Sequence, residues 1–506
     1  MPTKPTGMQA RIFKNGIYSA LSWVFPIIFA VIVTPVVVRG LGNELYGLYA
    51  VILGFISYSF TFGIGKTAAK YVSEYKATGE NEKISEAVSA ALWLSLGIGI
   101  IGSAIVALTA NYIVSNVLLI TPELHDTAVT ALYLASLTIL MTMLSQVFQS
   151  ILQGLQRFDR FVLLTNLSVF LLNLGSVVIV IYGYGVLALL VWNLIVAFVI
   201  GAEFYVNALR LLPEFTFRFA IDKDLWRASV KYAFSIIVYQ VFANILLLFE
   251  RAWIVRKFGF EALTFYVVPM MVGLYFHGFV SSLVLVIFPV INELLNDREK
   301  LKRLYQISSK IILTMTGFFI VTSLVTGRVF LTVWMHGKFP PEAYWILVFH
   351  VTTFSILSVT VIVWQMNESH RLASLNAVVT ILWLAISAPL MVAFADRWQT
   401  PGIAVARLAG VIVFLAMIVI AEKQFIGGIL YGFWANTLTR LAVAVAITGV
   451  VEWAIIGQFQ AGWPVFVAAG IIGAGFYTIV LLATGYLKQE ERDVLRGLIG
   501  ERWAAK

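Results

Sequence analysis

Val38-Arg39-Gly40-Leu41-Gly42-Asn43-Glu44 recurs 217 residues later as Val255-Arg256-Lys257-Phe258-Gly259-Phe260-Glu261. Each copy closes one long apolar run and opens the next. At the same offset Tyr49 meets Tyr266, Glu82-Lys83 meets Glu299-Lys300, and Gly185 meets Gly402. One offset kept in register across six apolar runs marks a duplicated half. Six is even, so both copies start on the same side and the repeat is parallel. Such pairs enclose a central cavity that opens alternately to each side.

The apolar runs decide the class. Of 506 residues 60% are hydrophobic and 12% charged, with mean hydropathy +0.91, against roughly 25% charge in a soluble domain. A spanning helix needs about 20 mostly apolar residues. Fourteen such stretches are predicted, at 17–38, 45–65, 87–109, 127–150, 162–181, 185–207, 231–255, 262–290, 310–333, 342–366, 372–394, 401–421, 439–457 and 463–487. The fold class is all-α: a polytopic membrane protein with two parallel six-helix repeats and two extra C-terminal helices. The expected organisation is an N-terminal lobe over 1–208, a cytoplasmic linker over 209–230 and a C-terminal lobe over 231–421. Residues 422–506 then carry an interfacial segment, helices 13 and 14 and a cytoplasmic tail. Runs this long exclude a barrel, and the loops are too short for a soluble domain. The first run follows Lys4, Arg11 and Lys14 but is too long for a signal peptide, and no small-residue cleavage site follows it. With no cysteine there is neither a disulfide framework nor a thiolate metal site. No metal or cofactor is expected.

Charge sets the orientation. Numbered alternately from a cytoplasmic amino terminus, the inner segments hold 27 of the 35 Lys and Arg residues. The outer loops hold five: Arg39, Arg256, Lys257, Lys338 and Arg397. By the positive-inside rule both termini face the cytoplasm and the chain sits in the cytoplasmic membrane. The net charge of +9 then reflects this bias and affinity for anionic headgroups, not nucleic-acid binding.

Asn15, Pro35, Leu41-Gly42, Tyr46-Gly47, Tyr49 and Gly63, with Leu152-Gln153-Gly154-Leu155-Gln156-Arg157-Phe158 after helix 4, resemble the opening of Wzx-type polysaccharide flippases. These are a branch of the multidrug/oligosaccharidyl-lipid/polysaccharide exporter superfamily. The resemblance implies a MATE-like fold. It also implies an undecaprenyl-pyrophosphate-linked oligosaccharide as cargo, moved from the cytoplasmic to the periplasmic leaflet. The partners it implies are that lipid-linked glycan, membrane lipids, and a glycan polymerase or other envelope-synthesis proteins.

The three remaining cations, Arg251, Arg328 and Arg407, fall inside predicted helices of the second half. A charge in the bilayer is unfavourable, so each is a candidate functional residue. Counted from the outer helix ends they lie roughly 8 to 10 Å deep at 1.5 Å per residue. Their planar guanidinium groups suit a pyrophosphate or an acidic sugar. The bland alternative is a local Arg251–Glu250 pair, with the other two snorkelling or bridging helices. Gln240, Asn244 and Arg251 share one face of helix 7, at steps of 4 and 7. In helix 4, Thr138, Thr142, Gln146, Gln149 and Gln153 form a narrow band able to bond sugar hydroxyls, or to act as glue between helices. His277 and His350 read as packing residues, and Glu203 and Glu452 as partly hydrated structural ones. Lys66, Lys70, Lys76 and Lys83 form a solvated inner loop in which Lys66 could meet phosphate at a cytoplasmic gate. Segments 422–438 and 488–506 read as interfacial amphipathic helices.

Two rival functions remain. A cation-coupled multidrug antiporter needs a titratable carboxylate in the membrane, and the first five helices have none, which leaves Glu250 in helix 7. A membrane polymerase or ligase needs a large outer loop bearing catalytic residues. The longest here, about 110–126, has no Lys or Arg, which favours transport without covalent chemistry.

Overall fold

The computed structural model describes residues 7–58, 65–213, 215–219, 222–285, 287–295, 297–370 and 372–486. Among them the ordered elements are helical: α1 (Gly7–Leu41), α2 (Asn43–Tyr58), α3 (Gly65–Thr78), α4 (Asn81–Tyr112), α5 (Pro122–Gly154), α6 (Phe158–Ile181), α7 (Val186–Leu211), α8 (Lys223–Leu285), α9 (Phe288–Glu293), α10 (Arg298–Trp334), α11 (Ala343–Ser369), α12 (Ala373–Val411), α13 (Val413–Ala421), α14 (Tyr431–Gln458) and α15 (Trp463–Ala483). In hydrocarbon, backbone groups must be satisfied within their own segment, so apolar runs of this length fold as helices.

Eleven described segments are long and apolar enough to cross a membrane. Two of these, Gln240–Val284 and Ser374–Ile426, run for 45 and 53 residues. That is about 68 and 80 Å at 1.5 Å per residue, more than twice the hydrocarbon core. Each breaks once. Gly259 has φ 81° and ψ 179° inside α8, and Gln399 has φ 50° and ψ −137° inside α12. Gly259 tolerates positive φ because it lacks a Cβ, whereas the break at Gln399 precedes Pro401, which cannot continue the helical hydrogen bonds. The predicted count of fourteen is reached only by counting both arms of each broken segment and adding α2.

Two expectations about segments change. The lysine cluster read as an inner loop falls largely on α3, and Lys83 opens α4. Residues 422–438 form no separate interfacial helix: Glu422–Ile426 is a π turn ending α13, and Tyr431 already opens α14. Residues 488–506 lie outside the described residues.

The chain divides into two compact units. Unit 1 comprises residues 1–268 and 373–410. At its core Val147, Ile151 and Leu152 of α5 meet Val196, Ile200 and Phe204 of α7 and Val88 and Ala91 of α4. Unit 2 comprises residues 269–372 and 411–506, where Leu313 of α10 packs with Leu441 and Ala444 of α14 and Tyr477 and Leu481 of α15. Large apolar side chains also point outward, Leu108 at 86% and Ile181 at 70% exposure. Lipid is the solvent that makes such exposure favourable.

The repeated stretch returns in unit 1 as a contact between its two copies. Gly42 ends α1 with φ 80°, matching Gly259 at φ 81°. Thr264 donates its hydroxyl to the Asn43 carbonyl at 2.6 Å. Subtracting 217 from Thr264 and adding it to Asn43 gives Gly47 and Phe260, and there a Cβ on Gly47 would strike the Phe260 carbonyl. Asn43 Nδ2 also donates to Glu261 Oε1 at 3.0 Å. Related positions therefore meet related positions, as at an isologous two-fold interface. Gly47→Ala is expected to weaken the fold by about 1 to 3 kcal/mol through overpacking against backbone that cannot yield. Thermal unfolding of the purified protein reads this, and an unchanged transition would show that the two turns separate freely.

Candidate functional site

Helix α8 carries Gln240, Asn244, Glu250 and Arg251. Neighbouring helix residues point about 100° apart and do not face each other, so Glu250 and Arg251 look in different directions. Glu250 is fully buried, and its Oε2 accepts from Arg407 Nη1 of α12 while its Oε1 accepts from the Tyr266 hydroxyl. The side chains of Arg407 and Glu250 are 2% and 1% exposed. The Arg407 guanidinium lies 5.1 Å from the Trp383 ring centroid, and Trp383 Nε1 donates to the Arg407 carbonyl at 3.3 Å. Here an acid and a base neutralise one another deep in the protein. Hydrogen bonds and an aromatic face hold them, which is what a buried pair needs to persist.

Arg251 has a different seat. Its Nη1 donates to the Ala50 carbonyl of α2 at 2.8 Å, and its guanidinium stands 5.3 Å from the Tyr58 ring centroid. Gly54 makes room, since a Cβ there would come within 2.9 Å of Arg251 Cδ. The buried Nε has no partner, and among the described residues no carboxylate pairs with Arg251. Its charge is therefore uncompensated by any acid among the described residues. The local Arg251–Glu250 pair considered from the sequence does not form, because Glu250 is engaged by a cation 157 residues away.

The other candidates disperse. Arg328 belongs to unit 2, is exposed, and lies 5.4 Å from the Tyr344 ring centroid. Gln240 and Asn244 are half-buried on α8, in unit 1 with Arg251. On α5, Gln146, Gln149 and Gln153 are half-buried, and Gln149 Nε2 donates to Ser145 Oγ at 3.1 Å. The hydroxyls of that band turn inward on their own helix, Thr138 bonding Leu134 O and Thr142 bonding Thr138 O. Gly65 of α3 lies against the Gln146 carbonyl and Ser150, so this face also serves helix packing. The side chain of Lys66 lies outside the described residues. His277 bonds Ser358 at 3.1 Å, and His350 is fully buried beside Phe354. Glu203 is exposed as expected of a hydrated residue, whereas Glu452, expected to be partly hydrated, is 0% exposed. Among the described residues no cluster of His, Cys, Asp and Glu could hold a metal ion.

Reading the sequence alone missed Tyr266, Trp383 and Tyr58 as the polar and aromatic lining of the two arginines. One signal was available: Tyr266 is the repeat mate of Tyr49. Tyr49 hydrogen-bonds Asn193 and Ser176, so the first copy holds a neutral tyrosine network where the second holds an ion pair.

Residues 12–295, more than half of the chain, match the model of the polysaccharide biosynthesis protein family. The chain belongs to that family. Comparison with curated proteins returns no match. Among solved structures, the lipid II flippase MurJ in an inward closed conformation is similar at 14% identity and TM-score 0.72, over 95% of this chain and 100% of that one. An inward-facing multidrug resistance MATE family transporter of the MOP superfamily aligns at 14% identity and TM-score 0.63, over 81% and 94% of the two chains. A MOP superfamily transporter from Pyrococcus furiosus aligns at 14% identity and TM-score 0.62, over 82% and 95%. This polysaccharide biosynthesis family member thus has the MATE-like and MurJ-like fold of a multi-pass membrane protein, as its first helices suggested.

Proposed function

We propose that the protein moves an undecaprenyl-pyrophosphate-linked oligosaccharide from the cytoplasmic to the periplasmic leaflet by alternating access, with no covalent step. The observation that carries the reading is Arg251, a permanent cation in a membrane-spanning helix that no acid among the described residues neutralises. A diphosphate would complete it, since a guanidinium binds phosphate through two parallel hydrogen bonds. Gln240 and Asn244 on α8 and Gln146, Gln149 and Gln153 on α5 supply amides for sugar hydroxyls. Arg407 supports the site by holding Glu250 in place, and Arg328 and Lys66 attract the anionic lipid at the membrane surfaces. Family membership and the MurJ-like fold support a lipid-linked cargo. The multidrug-antiporter reading loses its expected carboxylate, because Glu250 is already engaged by Arg407 and Tyr266.

Reconstitution tests the cargo. Liposomes holding the full protein and a fluorescent undecaprenyl-pyrophosphate oligosaccharide are expected to expose inner-leaflet glycan to an added glycosidase. Liposomes that transport cationic drugs and leave the glycan protected would overturn the reading. We also propose that the lobes 1–208 and 231–421 are the two copies of the repeat, and that both termini are cytoplasmic in the cytoplasmic membrane, with 27 inner against five outer cations. Reporter fusions after Lys506 are expected to be active only with a cytoplasmic reporter. Activity of a periplasmic reporter there would reverse the orientation.

A further inference from the structure

Beyond Glu250, two acidic side chains are fully buried among the described residues, Glu422 and Glu452. Glu422 is surrounded by donors: Tyr305 OH at 2.9 Å and Trp434 Nε1 at 2.6 Å reach its Oε1, and the Leu430 N–H reaches its Oε2 at 2.8 Å. Three donors suit a charged acceptor. Glu452 of α14 has only one. Thr322 of α10 donates to its Oε1 at 2.7 Å, while Oε2 has no partner. One turn earlier on the same helix face, Thr448 is also 0% exposed, and its hydroxyl is unpartnered.

The third wall is α15. A Cβ on Gly473 would stand 2.5 Å from Glu452 Oε1, so the bare glycine backbone closes the site where any side chain would collide. Titratable and charged neighbours on the packed helices are turned elsewhere. Tyr477 of α15 gives its hydroxyl to Thr314 O at 2.9 Å, and the exposed Arg328 of α10 lies over Tyr344. No Lys, Arg or His pairs with Glu452 among the described residues. An ionised carboxylate held by a single hydroxyl donor and no cation is strongly disfavoured in such surroundings.

We propose that Glu452 is a proton-binding site built between α10, α14 and α15, with the proton held on the unpartnered Oε2. Binding removes the charge and turns the unpartnered oxygen into a donor. Releasing the proton leaves a bare carboxylate against the Gly473 backbone, so protonation and the packing of α15 on α14 are coupled. The inference is independent of the cargo.

The test uses the full protein in liposomes treated with dicyclohexylcarbodiimide, which adds to protonated carboxyl groups in apolar surroundings, with modified peptides identified by mass spectrometry. Glu452 is expected to be modified at neutral pH and Glu250, held by Arg407, to be spared. Modification should fall as pH is raised, ignore added sodium and vanish in Glu452→Gln. An unmodified Glu452 in the native protein would overturn the proposal even if the variant fails to fold. Protection by sodium would overturn it in favour of a metal cation.

Discussion

Arg251→Ala is expected to lower glycan export by about one to two powers of ten at equal protein level. The estimate takes the roughly 1.5 to 3 kcal/mol typical of a hydrogen bond to a charged group and converts it at 1.4 kcal/mol per factor of ten. Arg251→Lys keeps the charge but not the two-pronged geometry, so it should fall between the native protein and Ala. The structural cost should be modest, because Arg251 touches the fold through one bond to the Ala50 carbonyl and a stack on Tyr58. Export assayed beside thermal unfolding separates the two roles. A stably folded Arg251→Ala protein that exports at the native rate would eliminate binding of cargo by this residue.

The ion pair should behave in the opposite sense, affecting folding before transport. Glu250→Gln leaves Arg407 charged and buried beside Trp383, and Arg407→Gln leaves Glu250 charged with Tyr266 as its remaining partner. Each is expected to destabilise the protein by about 3 to 5 kcal/mol, the range for breaking a buried pair from one side. The double replacement removes both charges and keeps an amide oxygen for the Tyr266 hydroxyl, so most of that loss should return. A double-mutant cycle on thermal unfolding measures the coupling directly. Simple additivity of the two single losses would mean that Glu250 and Arg407 do not hold one another.

The opposite roles of Arg251 and Arg407 were not separable from the sequence. Both are arginines in apolar runs of the second half, and counting from the helix ends gives them the same depth. Helical phase was readable and sets Gln240, Asn244 and Arg251 on one face, while the adjacent Glu250, kept as a local partner in the alternative reading, points about 100° away. What phase alone does not supply is the partner. Glu250 finds Arg407 because α8 and α12 lie side by side in unit 1, a fact of packing between segments 157 residues apart.

The sequence by itself determined the solvent, the helices and the repeat. Apolar runs of about 20 residues have one stable form in lipid, and Gly42 and Gly259 both take the positive φ that ends a helix. The MATE-like organisation suggested by its first turns follows from these local rules. Only the tertiary structure decided which polar groups are satisfied. It consumed the hydroxyls of Thr138 and Thr142 within α5, gave Glu422 three donors and left Glu452 with one. Glu452 looked hydrated near a helix end, yet α15 brings Gly473 against it and shuts water out. The physical reason is range: helix formation depends on neighbours a few residues apart, whereas the energy of a buried charge depends on whatever the fold places within a few ångströms of it.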